Sequence, residues 1–369
     1  MKKVRENILI LADLSSPLMK PRIMMLKDLP YDKYILHNAN NIRLDEATLS
    51  DYTGFNVLQH PRIISLRMRY LYSFFYTLFL LLRLKPKLIV VHWASRLYQN
   101  LLLALWGKRV IVHTMGGDIN KEEDCYGKKK FFTGILLKNA RIITGKTYVM
   151  KEISMSSFPF LNQDKIKILS WGVEDRFFEK LDSSQKKSEK MRLLGKNYQN
   201  VFFSIRTFKR IHFQKEIIKV FLENYKNDND TCLIVSLLAQ EKKYYDECDR
   251  EINFKENSNI IFVEINHKDM HKYLQISNAI ISLKLFDGIS QSIMEALCAE
   301  VFVIASDIKN HAMILSHQKN AYLINDFSEL REAFLYCLMH KFKKIESPML
   351  NANSQKQYYL QILKENFDV

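Results

Sequence analysis

The stretch AIISLKLFDGISQSIMEALCAEVFVIASD, Ala279 to Asp307, decides the fold. Ala279 to Leu285 is an apolar run of strand length, Phe286-Asp287-Gly288-Ile289 breaks it with a turn, and Ser290 opens a helix. Ile293, Met294, Leu297 and Cys298 recur at helical spacing, and Val301 to Ser306 reads as a second strand. A helix that starts at the carboxyl end of a parallel strand presents unpaired N–H groups and a partial positive charge, which suits a phosphate. Ser290, Gln291 and Ser292 add short polar side chains there. Asp287 in the turn and Glu295 about one and a half turns into the helix would repel a phosphate, so they suit hydroxyls: a ribose diol or a sugar ring. The residues alone therefore point to a phosphate joined to sugars, against the plainer reading of a structural turn with a solvated Asp287.

Outward from this stretch the same alternation repeats. Asn7–Ala12, Tyr34–His37, Phe55–Leu58, Lys87–Trp93, Arg109–Thr114 and Ala140–Gly145 read as strands of a first sheet. Val201–Ile205, Cys232–Leu237 and Ile260–Phe262 begin a second. Segments of about ten or more residues separate most of them, the spacing of parallel strands joined by helical crossovers. In such a sheet ligands lie beyond the carboxyl ends of the strands, where His92 and His113 arrive, the latter followed by Met115-Gly116-Gly117-Asp118-Ile119. Asp118 either caps a turn after Gly116 and Gly117 or touches an acceptor hydroxyl. Leu181–Lys190 is polar without apolar period and reads as a surface connection.

With 369 residues, 47% of them apolar, the chain suits two ordinary domains. Its five cysteines are odd in number, scattered and without CxxC spacing, which speaks against a disulfide framework or a zinc site and for reduced thiols in a cytoplasm. The amino-terminal MKKVRENILILAD reads as a first strand rather than a signal peptide. A formal charge of +15 fits an anionic membrane surface, a phosphorylated substrate or nucleic acid, and no RNA-binding aromatic motif or zinc-finger spacing supports the last. Leu66–Leu84 is the most apolar segment; its uninterrupted part, Tyr70–Leu82, has 13 residues, against the roughly 20 a membrane span requires. It reads either as a core helix or as one lying at a membrane interface on the inner face of the cytoplasmic membrane, its flanking bases on anionic headgroups.

Asp287, seven intervening residues and Glu295, then Ala296-Leu297 and a strand ending in Ala305-Ser306-Asp307, resemble the E-x7-E signature of glycosyltransferase family 4. The chain departs from it at Asp287, in place of the first Glu, and at Glu300, where the family usually has Gly. Further pieces resemble the same family: the histidine-bearing strand ends, the ADxxxxxS-like element at Ala140, and Lys165–Val173 followed by Glu174 and Phe177, which matches its crossing into a second domain. The resemblance runs from about Asn7 to Tyr336.

It implies an α/β architecture of GT-B type, two Rossmann-like domains facing each other across a cleft: residues 1–172 binding the acceptor, 173–345 binding the donor, and a last helix in 346–369 crossing back. It implies a retaining transferase moving a sugar from a nucleotide sugar, UDP- or GDP-linked, to a glycan or polyprenyl-linked acceptor in bacterial surface polysaccharide synthesis such as lipopolysaccharide, capsule or O-antigen. His113 would contact the transferred sugar and Asp287 its hydroxyls, with Glu295 on the ribose. Arg206, with Lys209 or Arg210, and the N–H groups from Ile289 to Gln291 would hold the diphosphate, with Gly288 and Ser292 also on the donor side, and Val263 and Glu264 would line the base. Ser15 and Ser16 stand where relatives carry a glycine-rich acceptor loop, near His92. No cofactor and no metal are expected, since positive side chains and a helix end can neutralise the leaving group. Two other readings stay open: another GT-B enzyme, an amino-deoxysugar transferase or sugar-nucleotide epimerase, and a degenerate, non-catalytic scaffold on a membrane.

Overall fold

Short runs of β-branched and aromatic residues bounded by polar turns build two separate parallel sheets in the computed structural model, which describes residues 6–16, 18–37, 43–61, 65–120, 125–238, 240–285, 288–344 and 346–369. The chain divides into two units, Met1–Trp171 with Asn353–Val369, and Gly172–Ala352.

In the first unit seven strands, β1 (Asn7–Ala12), β2 (Asp32–His37), β3 (Asn56–Gln59), β4 (Leu88–His92), β5 (Val110–His113), β6 (Ile142–Gly145) and β7 (Ile166–Ile168), lie in the order β3-β2-β1-β4-β5-β6-β7. Every pairing is parallel, and the order reverses direction between β1 and β4. Strands covered on both faces need continuous apolar runs. β1 and β4 supply them, with Ile8 to Ala12 and Leu88 to Val91 fully buried. The register sets His92 beside His113 and His113 beside Thr144, one row across three strand ends.

The Leu66–Leu84 helix presents two faces. Ser73, Thr77, Leu80, Leu81 and Leu84 are buried, while Met68, Leu71, Phe75, Phe79 and Leu82 are each at least half exposed. The helix ends at Lys85 in the left-handed conformation, just before Pro86. The terminal Ala352–Phe367 helix gives Tyr359, Ile362, Leu363 and Phe367 to the same core as Ile8, Ile10 and Ile35.

In the second unit six parallel strands, β8 (Asn200–Ser204), β9 (Thr231–Ser236), β10 (Ile260–Val263), β11 (Ala279–Ser282), β12 (Phe302–Ser306) and β13 (Ala321–Ile324), take the order β10-β9-β8-β11-β12-β13. The order reverses between β8 and β11, so the segments leaving those two strands part there. Segment Leu181–Lys190 is not the open connection its composition suggests. Ser183–Leu194 is a helix, opened by a capping box in which Asp182 accepts from Ser184 and Gln185 N–H groups and the Gln185 side chain reaches back, and closed by Gly195 at φ 72°. Capping at both ends outweighs the weak apolar period.

Two backbone positions are decided by close approach or by handedness. Gly172 has φ 70°, and a Cβ there would lie 2.4 Å from the Ala352 Cα, because Val173 N–H bonds Leu350 O at 2.8 Å in the adjoining strand-like pair. Glu300, where the resemblance led one to look for glycine, has φ 57°. Its N–H bonds Leu297 O and the next N–H bonds Ala296 O, a left-handed close to the Gln291–Cys298 helix.

Candidate functional site

In the second unit the site grows from the two strand ends where the sheet order reverses. β8 delivers Arg206, whose Nε donates to Ser282 Oγ at the end of β11, 2.8 Å away. That bond lays the guanidinium over both strand ends, and burial pulls its pKa down to about 10, so it stays charged at neutral pH. After β11 the chain passes Gly288 and Ile289, the latter buried at φ 62°, a left-handed conformation that costs a β-branched residue roughly 1–2 kcal/mol. Strain of that kind persists where surrounding contacts fix it, and it turns the backbone into the helix that begins at Gln291. Ser290 is the N-cap, its Oγ accepting from Ile293 N–H at 3.2 Å and lying 3.1 Å from Ser292 Oγ. The Gln291 side chain donates to Gly172 O at 3.0 Å.

Glu295 follows on the buried side of this helix, 2% exposed, with Oε1 2.8 Å from His267 Nε2. His267 Nδ1 is 3.2 Å from an Arg176 Nη, which also lies 2.5 Å from Glu174. Arginine can only donate, so Nδ1 accepts, and Nε2 carries the proton given to the carboxylate. Arg176 donates as well to Lys268 O at 3.0 Å. The result is a polar row, Glu174–Arg176–His267–Glu295, that fixes one oxygen of a buried carboxylate and leaves Oε2 without a hydrogen bond to any described residue. The crossing motif around Gly172 and the helix after β11, far apart in sequence, are thus tied by two sets of bonds.

Other expected donor-side residues divide. Val263 ends β10 half-buried and accepts Leu237 N–H through its carbonyl, and Glu264 beside it is exposed; their loop continues to His267. Lys209 precedes a short turn at Arg210–His212. Arg210 is turned to the Lys242–Ile252 helix, where it pairs with Glu247 at 2.6 Å and covers the Tyr244 ring, which places it apart from Arg206. His212 bonds Thr207 O at 2.9 Å. Asp287 and Phe286 lie outside the described residues.

In the first unit His113 is fully buried. Its Nδ1 is 2.6 Å from Thr144 Oγ1 and its Nε2 3.0 Å from Tyr359 Oη, and Trp171 meets the ring edge-on. Both ring nitrogens thus have partners, Thr144 and Tyr359. Burial pushes its pKa well down, with Arg22 adding to the effect. Asp118 is also enclosed: it accepts from Ala94, Met115 and Gly116 N–H groups, so the capping alternative is the one realised, and burial raises its pKa despite those bonds. Gly116 at φ 116° makes that turn possible; Gly117 follows inside it.

His92 differs. It is 2% exposed, its ring centroid is 4.7 Å from that of His113, and its Nδ1 has no hydrogen-bond partner among the described residues. It borders a cavity of about 540 Å³ with Asp13, Ser16, Arg69, Tyr70, Trp93, Arg96 and Tyr98. The Ser15 hydroxyl donates to the lining Asp13 carboxylate at 2.6 Å. Arg96 is locked by Leu11, His92 and Trp93 carbonyls, and burial takes its pKa to about 10. A mixed wall of aromatic rings, hydroxyl and guanidinium groups is the lining expected around a polyhydroxylated ring.

His267 and Arg176 were not singled out from the sequence as site residues. Arg176 stands inside the matched Gly172 to Phe177 segment and so carries a signal, whereas only the return of the His267 loop to the Gln291–Cys298 helix gives that histidine its carboxylate partner.

Residues 185–340 match the family model described as glycosyl transferases group 1. The chain is 21% identical over 222 residues to glycosyltransferase 1 domain-containing protein 1 of Xenopus tropicalis, an alignment spanning 60% of this chain and 64% of that relative's length. Among solved structures, a glycosyltransferase from Rickettsia africae superposes with TM-score 0.77 at 14% identity, covering 98% of this chain and 99% of the other. Anabaena HepE in complex with UDP and glucose gives 0.75 at 14% identity, covering 97% and 99%. The fold is therefore that of GT-B glycosyltransferases, two Rossmann-like units.

Proposed function

We propose that this chain, whose residues 185–340 carry a glycosyl transferases group 1 domain, is a retaining glycosyltransferase of the family-4 type that moves a sugar from a UDP- or GDP-linked donor to a glycan or polyprenyl-linked acceptor of a bacterial surface polysaccharide. The observation that carries the reading is the buried Glu295 carboxylate, oriented by His267 one and a half turns behind a helix start, in the same unit whose β8 and β11 ends part under Arg206. A buried carboxylate with one bound and one open oxygen suits a vicinal diol. The helix start and Arg206 meet the negative charge that grows on a diphosphate as the glycosidic bond breaks. These groups supply the positive charge without a divalent cation.

Glu295 is assigned to the ribose, Gly288 to Ser292 with Arg206 and Lys209 to the diphosphate, Val263 and Glu264 to the base, and Asp287 to the donor sugar hydroxyls. The cavity by His92 and Ser16 is assigned to the acceptor, with His113 and Asp118 holding its wall in place. Transfer on one face, with the leaving phosphate taking the acceptor proton, needs no dedicated side-chain base. The chain works in the cytoplasm, at the membrane when its acceptor is lipid-linked.

A panel of UDP- and GDP-sugars scanned by thermal unfolding tests this. One donor should stabilise the chain by about 2.7 kcal/mol when present at about a hundred times its Kd. NMR of the product should then show the anomeric configuration of the donor retained. Indifference to every nucleotide sugar would remove the assignment, and a donor altered at C2 without acceptor would redirect it to epimerisation.

A further inference from the structure

We infer that the outer face of the Leu66–Leu84 helix, continued by the Gln99–Leu105 and Gly127–Asn139 helices, is a docking surface for an anionic phospholipid bilayer. Met68, Leu71, Phe75, Phe79 and Leu82 follow one another at intervals of three and four residues, and each is between 50% and 57% exposed. At 100° per residue those intervals keep all five within one narrow arc of the helix. A soluble surface has no use for such a stripe, because each ring or branched chain left in water forgoes burial. The opposite face is anchored, Gln99 donating to Thr77 Oγ1 at 2.8 Å, so the stripe cannot roll inward.

The apolar surface does not stop at this helix. On the neighbouring helices Leu105 is 79% exposed and Phe131 64%, and Tyr98, itself 42% exposed, meets Phe132 at 5.1 Å, which in turn meets Phe131. The exposed Tyr98 also lines the cavity beside His92, so the cavity adjoins the start of the Gln99–Leu105 helix.

Charge selects the occupant. The three helices contain no Asp or Glu, and carry Arg67, Arg69 and Arg83 on the first and Lys128, Lys129, Lys130 and Lys138 on the third. Arg83 lies over the Phe79 ring at 5.6 Å, cation beside stripe. A second copy of this chain would bring like charges together, whereas acidic headgroups above an acyl boundary meet both the bases and the apolar row. No described helix is long and apolar enough to cross a membrane, so the contact is one of lying on the surface. The inference rests on the proposed function only for its purpose, the delivery of a lipid-linked acceptor to the adjoining cavity.

The full chain is to be sedimented with vesicles of phosphatidylcholine alone and with about a third phosphatidylglycerol, at low and high salt. Binding to the anionic vesicles that weakens with salt is expected. The double variant Phe75→Gln/Phe79→Gln should lower partitioning at least about tenfold. Arg67→Gln/Arg83→Gln should lower it about fivefold per cation and only on anionic vesicles. Both pairs are on exposed positions, and both variants should melt like the parent and keep its nucleotide affinity, which separates failure here from failure of the donor reading. Equal binding by parent and variants, or no binding to anionic vesicles, would overturn the inference. So would a dimer of the parent that the phenylalanine variant converts to monomer, in favour of self-association.

Discussion

Replacing Glu295 by alanine tests the donor site at its most constrained atom. In the parent, His267 holds Oε1 at 2.8 Å and the carboxylate is 2% exposed. The proposal puts a ribose hydroxyl on Oε2. A hydrogen bond to a charged group is worth about 1.5–3 kcal/mol, so the variant should bind UDP or GDP about ten- to a hundredfold more weakly. Its fold should survive. Alanine is the better helix former, and His267, with 21% of its side chain exposed, can pass its Nε2 proton to water, so the lost bond costs about 1 kcal/mol and a few degrees in thermal midpoint. Calorimetric titration with the nucleoside diphosphate and with its 2′,3′-dideoxy analogue closes the cycle. Parent and variant should differ on the first and agree on the second. A variant that binds the intact nucleotide within about twofold of the parent would refute the reasoning, since that is less than one such bond provides. Equal losses on both compounds would place the carboxylate elsewhere than the diol.

Two further expectations follow from backbone and burial. At Glu300, φ 57° penalises any side chain, while the Lys180 ion pair at 2.6 Å is lost on going to either alanine or glycine. Comparing those two variants isolates the conformation: Glu300→Gly should exceed Glu300→Ala by about 0.5–1 kcal/mol, roughly 2 °C in thermal midpoint, and an alanine variant as stable as the glycine one would count against it. His92 and His113 are held well below the ordinary imidazole pKa by burial first, and His212 and His311 are pulled down to about 4 by burial. Each titrates near 6.5 in the unfolded chain, which then takes up the proton that the folded chain refuses. Stability is therefore full above that value and falls with pH, by about 1.4 kcal/mol per residue at about pH 5.5. Urea titrations at about pH 7.5 and 5.5 check this, and a chain equally stable at both would show that these imidazoles reach solvent.

The two-sheet plan was legible because its cause is local. The runs ILILA in β1 and LIVV in β4 are apolar without a break, as a strand covered on both faces requires, and the strand ends inferred for β1 are those observed. Ser290 as a cap and Ser-to-helix geometry after β11 were legible for the same reason: capping depends on residues three apart. Ser183–Leu194 was misread because apolar period was weighed and the Asp182 box was not.

What the sequence determined by itself is thus the alternation of strands and helices, the strand-turn-helix that carries Glu295, and the excess of positive charge. Only the tertiary structure decided the use of particular side chains. It enclosed His113 between Thr144 and Tyr359, residues 31 and 246 positions away, gave Glu295 a partner 28 positions back, and turned one face of the Leu66–Leu84 helix outward. The physical reason is that secondary structure is set by neighbours within a few bonds along the chain. A hydrogen-bond partner or an exposed face is set by which distant segments the sheet order brings alongside, and no local pattern encodes that.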